Sequence, residues 1–400
     1  MATTASGRNT VRLHRLTMVA EDDGIMVGRP ETGSYAVFPE EGAQALRMLG
    51  AGTPVSTMAE WYQQACGEQL DVEDFLGTIE ELGFVRAEGE EEPAGTPVRW
   101  QRLGRWAFSW PAWLCYLALT AAALAAMVRR PSLRPSYHDV FFTDHLVLIP
   151  VVLTATQIPC VLLHEGYHAL SGRRLGLPST LSIGRRLYYL VAETRLDSLY
   201  SVPRNRRYLP FCAGILADVL QVSAFTLLSA ALHGRGIPPW CPALCLAVSF
   251  SCVIRIVWQF MFYLRTDLYF VMTNALRCSD LDVVTRFQLR TFFLRLLRRT
   301  PPEPDAEWSD RDRAMARVYA PVMVAGYGFS LGSLLWAGLP TTLHFCTLIA
   351  NRFTGPHTSL GALLDAASFL GLTLLEFGLV GYVALRDRRA GRTTTQGAPS

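Results

Sequence analysis

Six long stretches of this 400-residue chain are almost free of charge, and all of them begin after residue 105. Trp106 to Val128, Leu146 to Leu163 and Val318 to Ala350 carry none. Tyr208 to Leu232 holds only Asp218, Pro238 to Leu264 only Arg255, and Leu360 to Leu385 only Asp365 and Glu376. About 20 apolar residues in a helix cover the hydrocarbon layer of a bilayer. The pattern therefore predicts six membrane crossings. The run from 318 to 350 is long enough for one crossing plus a re-entrant or interfacial piece.

Basic residues predict the orientation, because they concentrate on the cytoplasmic side. With six crossings and both termini inside, the inner segments from residue 99 onward hold 25 Arg and the outer ones five. The expectation is a multi-pass protein of the cell (plasma) membrane with cytoplasmic N- and C-termini. All 37 basic residues are Arg, and the formal charge is only +3. No basic stripe with interleaved aromatics is present, so nucleic acid is not an expected partner. The nine cysteines fall mostly in the apolar runs and read as small packing residues. Residues 1–20 lack the apolar core of a secretory signal.

One apolar run closes on His164-Glu165-Gly166-Tyr167-His168. On a helix, positions i and i+4 share a face, so both imidazoles can reach one cation. The Glu after the first His is placed to take a proton from an attacking water. Ionisable groups beside a membrane-length run are expensive unless they have a task. The other six His are scattered singly, unlike the several His clusters of two-metal membrane oxygenases.

Zinc in a hydrolase takes three protein ligands and leaves a fourth position for water. His164 and His168 supply two, and four carboxylates compete for the third place. Crossings two and four both run from outside to inside, so their ends reach the same cytosolic depth. That puts Asp267, just after crossing four, within reach of the His pair. Asp218 in crossing three, with Gln221 on the same face, is a second candidate, or else a buried hydrogen-bonding pair between helices. Glu193 and Asp197 in the cytosolic loop are the others.

The His-Glu-x-x-His helix, followed much later by a carboxylate on another membrane helix, resembles the site-2 protease family of intramembrane zinc metalloproteases. Within it the likeness is to the branch of peptide zinc metalloproteases found beside bacterial peptide natural-product genes. Arg265-Thr266-Asp267-Leu268-Tyr269-Phe270 stands where that branch has Leu-Asp-Gly-Tyr-Tyr, and the Gly is replaced by Leu268. Gly166 lies one position earlier than the family's Gly. Ala213-Gly214-Ile215-Leu216-Ala217-Asp218 looks like the family's Ala-Gly element, which gives Asp218 a packing or substrate-strand role. The resemblance implies Zn2+ held by His164, His168 and Asp267, and Glu165 as the catalytic acid-base.

The first hundred residues have a soluble character. Gly24–Arg29 and Gly33–Pro39 read as two short strands around a turn. Glu40–Leu49 reads as a helix, a second begins with Ser56 as cap and ends near Cys66, and a third runs from an Asp71 cap to Leu82. Gly83 ends that helix and Phe84-Val85 begins a wing. This winged-helix pattern is similar to the peptide-chaperone fold of the pyrroloquinoline-quinone biosynthesis D protein, which implies capture of a peptide by strand addition. A DNA-binding or purely structural winged helix is the other reading, and the acid-rich stretch 60–92 speaks against DNA.

The expected fold class is mainly α: a polytopic membrane protein of about six transmembrane helices preceded by a small α+β winged-helix domain. The expected segments are the winged-helix domain at 1–87, a linker at 88–105, the membrane metalloprotease domain at 106–390 and a disordered tail at 391–400. The basic, apolar stretch 286–299 reads as a helix lying on the lipid surface or as a solvated connector. Arg255, Asp365 and Glu376 read as a buried ion pair or as substrate contacts. The expected activity is zinc-dependent cleavage of a small peptide or leader peptide, in maturation of a ribosomally made peptide natural product. Peptide substrate and membrane lipid are the expected partners. A non-catalytic peptide-binding, export or immunity protein with a vestigial metal site is the alternative. A protease freeing a membrane-tethered transcription factor is a third.

Overall fold

The computed structural model describes residues 10–21, 24–87, 90, 98–186, 189–278, 280–300, 308–354 and 359–395. In chain order, strands β1 (Thr17–Glu21), β2 (Gly24–Arg29) and β3 (Ser34–Phe38) precede helices α1 (Glu40–Gly50), α2 (Val55–Cys66), α3 (Val72–Glu81) and α4 (Gln101–Ala107). Helices α5 (Trp110–Arg129) and α6 (Leu148–Arg174) follow, then the hairpin β4 (Thr180–Arg186) and β5 (Tyr189–Arg195). The remainder is helical: α7 (Arg204–Leu232), α8 (Trp240–Trp258), α9 (Asp267–Leu276), α10 (Leu281–Leu296), α11 (Asp310–Ser333), α12 (Leu339–Thr354) and α13 (Leu360–Thr395). The chain divides into two compact units. One comprises residues 1–107, 169–180 and 194–210, and the other 108–168, 181–193 and 211–400.

In the first unit, β1, β2 and β3 form an antiparallel sheet in sequence order, with Val19 opposite Met26 and Val27 opposite Ala36. Val27, Leu46, Leu49, Met58, Ile79 and Phe84 form its core. The Asp71 side chain accepts from the Asp74 N–H at 3.1 Å and caps α3, as the sequence predicts. Ser56 does not cap α2. That helix begins two residues earlier, at Val55 after Pro54, whose carbonyl accepts the Met58 N–H. Gly83 has φ +71°, a left-handed stop that a side chain would strain, and Val85 then bridges back to Leu13.

The same unit contains a buried charge cluster. The Glu21 side chain, 2% exposed, pairs with Arg204 and, at 2.6 Å, with Arg207. Arg207 also donates to the Val202 and Tyr200 carbonyls and lies over the Tyr200 ring. Burial raises the Tyr200 phenol above its ordinary value, against the pull of Arg207. Removing one member of a buried pair strands the other, at a cost of about 3–5 kcal/mol. Glu21→Ala is therefore expected to speed amide exchange across β1, β2 and residues 197–207 together. Unchanged exchange there would mean that the pair contributes no stability.

The second unit carries the apolar runs. Five helical segments among the described residues are long and apolar enough to cross a membrane: α5, α6, α7, α8 and the continuous path from Asp310 to Thr354. In that path the predicted run at 318–350 is unbroken helix, with a π turn at Leu334–Gly338. The sixth predicted run falls in α13, many of whose later side chains lie outside the described residues. Helix α13 continues to Thr395, into the stretch expected as a tail, and 396–400 lie outside the description. Of the expected linker at 88–105, residues 101–105 are helical and 88–89 and 91–97 lie outside the description. The cytosolic loop expected after α6 contains the hairpin β4–β5.

The charges inside the apolar runs pair differently from the expectation that grouped Arg255, Asp365 and Glu376. Asp365 accepts the Leu146 and Val147 N–H groups at 2.7 and 3.1 Å and pairs with Arg352 at 2.6 Å. Arg255 turns to Asp218, 2.7 Å away, and Glu376 is exposed. Helix α10 packs its first half, including Leu281 and Val284, against Tyr269 and Tyr319. Its other end leaves Phe292, Phe293, Leu296 and Leu297 exposed among arginines.

Candidate metal centre

Three elements of the second unit build the site. Helix α6 carries His164, Glu165 and His168, all less than 9% exposed. One helical turn separates the two His, so their rings lie side by side with centroids 4.9 Å apart. Helix α7 supplies Gly214 and Asp218, one turn apart on one face. The third element is the break after α8.

That break is built by local hydrogen bonds. Helix α8 stops at Trp258, short of the predicted end of crossing four, and Arg265 takes a left-handed φ of 54°. The Thr266 hydroxyl donates to the Gln259 carbonyl at 2.7 Å. The Gln259 side-chain oxygen accepts the Asp267 N–H at 3.0 Å. Asp267 is therefore the first residue of a new short helix, not the continuation of a crossing, and its carboxylate is turned toward the His pair.

The three donor atoms form a nearly equilateral triangle. His164 Nε2 and His168 Nε2 are 3.3 Å apart. Asp267 Oδ2 is 3.4 Å from the first and 3.3 Å from the second. A tetrahedral ion with bonds of about 2.0–2.1 Å needs ligand atoms about 3.3–3.4 Å apart, so the triangle has the dimensions of one face of such a coordination shell. Asp267 Oδ2 is also buried without a hydrogen bond, a state that normally costs about 1–3 kcal/mol or more for a charged group. A cation would satisfy it. Gly214 backs the triangle: a Cβ there would come within 2.2 Å of His168 Nε2 and 2.4 Å of His164 Nε2. Glu165 Oε1 is 4.0 Å from His164 Nε2, beside the triangle but outside it.

Among the described residues, His164, His168 and Asp267 are the one group of three or more His, Cys, Asp or Glu that could hold a metal ion. Asp218 is not a member. It accepts from the other nitrogen of His164, Nδ1, at 2.9 Å, so it faces away from the triangle. The side chains of Glu193 and Asp197 lie outside the described residues. Three contributors escaped the sequence reading. Gln259 gave no signal. Gly214 was visible only as part of a likeness. The contact between Asp218 and Arg255 had a usable signal: each is the single charge of its apolar run, and the signs are opposite. No family model matches the chain, and neither the curated proteins nor the solved structures contain a match.

Proposed function

We propose that this chain is a membrane-embedded, zinc-dependent peptidase that cleaves a small peptide, with His164, His168 and Asp267 as metal ligands and Glu165 as the acid-base. The donor triangle carries the reading, because its edges suit tetrahedral zinc and its carboxylate oxygen lacks any other partner. Two imidazoles and one carboxylate are a donor set that zinc hydrolases use. The exposed apolar faces of α5, including Leu117, Leu124 and Val128, support a lipid surrounding. Both His lie near the end of an apolar run, which fits cleavage close to the cytosolic face.

A zinc ion held there would supply Lewis acidity and acidify water at the site. Glu165 accepts the proton of the attacking water and returns it to the leaving amine. Burial of the His–Glu group keeps bulk water from competing. Residues 1–87, with their open sheet of three strands, would hold a leader or precursor peptide by strand addition. A peptide of a ribosomally made natural product is the substrate class this favours.

The purified protein is expected to hold about one zinc per chain, and Asp267→Ala and His168→Ala to lose it. Mass-spectrometric metal analysis of the three proteins, with helicity checked by circular dichroism, decides the point. Equal zinc in all three would end the metal reading and leave the export or immunity alternative.

A further inference from the structure

The metal reading leaves Asp218 and Arg255 without a task, yet they pair at 2.7 Å with the Asp218 side chain 0% exposed. We infer that Asp218, fixed by Arg255, is a positioning residue that sets which nitrogen of His164 faces the cation. The inference rests on the metal reading and adds to it.

A neutral imidazole has one N–H and one lone pair, and the ligating nitrogen must offer the lone pair. His164 faces the triangle with Nε2, so its proton belongs on Nδ1. Asp218 Oδ2 sits 2.9 Å from Nδ1 and, as a carboxylate, can only accept. Its other oxygen is fully committed. Oδ1 accepts from Arg255 Nε at 2.8 Å and lies 2.7 Å from Arg255 Nη2, with Gln221 Nε2 at 3.4 Å. Arg255 is held in turn by Gln157 Oε1 at 3.0 Å. Asp218 is 0% exposed, so bulk solvent does not compete for its oxygens. Each oxygen therefore has one role, and the carboxylate cannot turn without losing a bond. Hydrogen bonds of this kind behind a ligating His orient the ring and raise its basicity.

A helix-to-helix ion pair with no link to the metal would show the same distances, so the test must separate the two. An Asn at 218 has one acceptor oxygen and one NH2 group. Arg255 offers only N–H groups and claims the oxygen. The NH2 then faces His164 Nδ1 and drives the proton to Nε2, the nitrogen that must bind. Removing the guanidinium frees the Asn oxygen to turn back to Nδ1.

The full-length protein, stripped of metal in detergent, is titrated with zinc against a competing chelator and with cobalt(II) for its visible spectrum. Asp218→Asn is expected to weaken zinc about 10–100-fold and to alter the cobalt bands. The double variant Asp218→Asn/Arg255→Met should regain wild-type affinity to within about threefold, because the single acceptor is again available to Nδ1. It also avoids an unpaired buried Arg, so it remains informative if the single variant folds poorly. Wild-type affinity in Asp218→Asn overturns the inference. So does a double variant that melts like the wild type yet binds zinc as weakly as the single one. A wild-type protein whose zinc uptake is indifferent to His164→Ala fails earlier and differently: it removes the metal reading itself.

Discussion

Glu165→Gln is expected to abolish peptide cleavage while the zinc content stays that of the wild type. The two halves of this result have separate causes. The carboxamide is nearly isosteric, so α6 and its two His are undisturbed, and Glu165 is not a member of the donor triangle. It lies beside that triangle, 4.0 Å from His164 Nε2. A carboxamide cannot accept the proton of the attacking water. Loss of a positioned acid-base typically lowers a rate by about 10²–10⁴, and here the same group must also protonate the leaving amine. The measurement pairs metal content with turnover of a fluorogenic peptide library in detergent micelles. Cleavage at the wild-type rate with zinc present would remove Glu165 from the chemistry, and no zinc-dependent cleavage by the wild type would leave a metal-dependent binding protein.

Gly214→Ala should be nearly as severe, but by a different route: metal uptake itself should fail. The added methyl would lie 2.2 and 2.4 Å from the two Nε2 atoms, in the space where an ion must sit. The methyl would be fixed to the α7 backbone, so the two imidazole rings are what must yield. Forcing a methylene into a well-packed site costs typically about 1–3 kcal/mol. The rings would escape that cost by turning away, which opens the triangle. Gly166→Ala is the matched control, because a Cβ there meets nothing within 4 Å. Zinc titration of both variants should show binding lost in the first and kept in the second. Normal uptake by Gly214→Ala would mean that the cation does not sit between these rings.

Much of this was legible in the sequence because it depends on local periodicity. Apolar runs of membrane length, the four-residue spacing of His164 and His168, and the Asp71 cap each follow from one stretch of chain. The position of Asp267 was legible to a coarser degree. Counting crossings puts it near the His pair, where the structure has it, but the turn that aims its carboxylate is made by Gln259 and Thr266, two polar residues with no motif. Strand β1 reads Thr-Met-Val-Ala-Glu and shows too little alternation to announce itself. Asp218 was the least legible. Its meaning lies in two contacts, to His164 across one helix pair and to Arg255 across another, with sequence separations of 54 and 37. Spacing along a single helix cannot encode such a junction.

The break after α8 has a mechanical consequence. His168 and Asp267 are separated by about a hundred residues, and closing a loop of that length is entropically costly. A cation gripped by both would act as a staple between α6 and α9, so that the loaded and stripped forms differ in rigidity as well as in chemistry. The Asp267 carboxylate, whose Oδ2 has no hydrogen bond of its own, would be the first group to move when the staple is drawn.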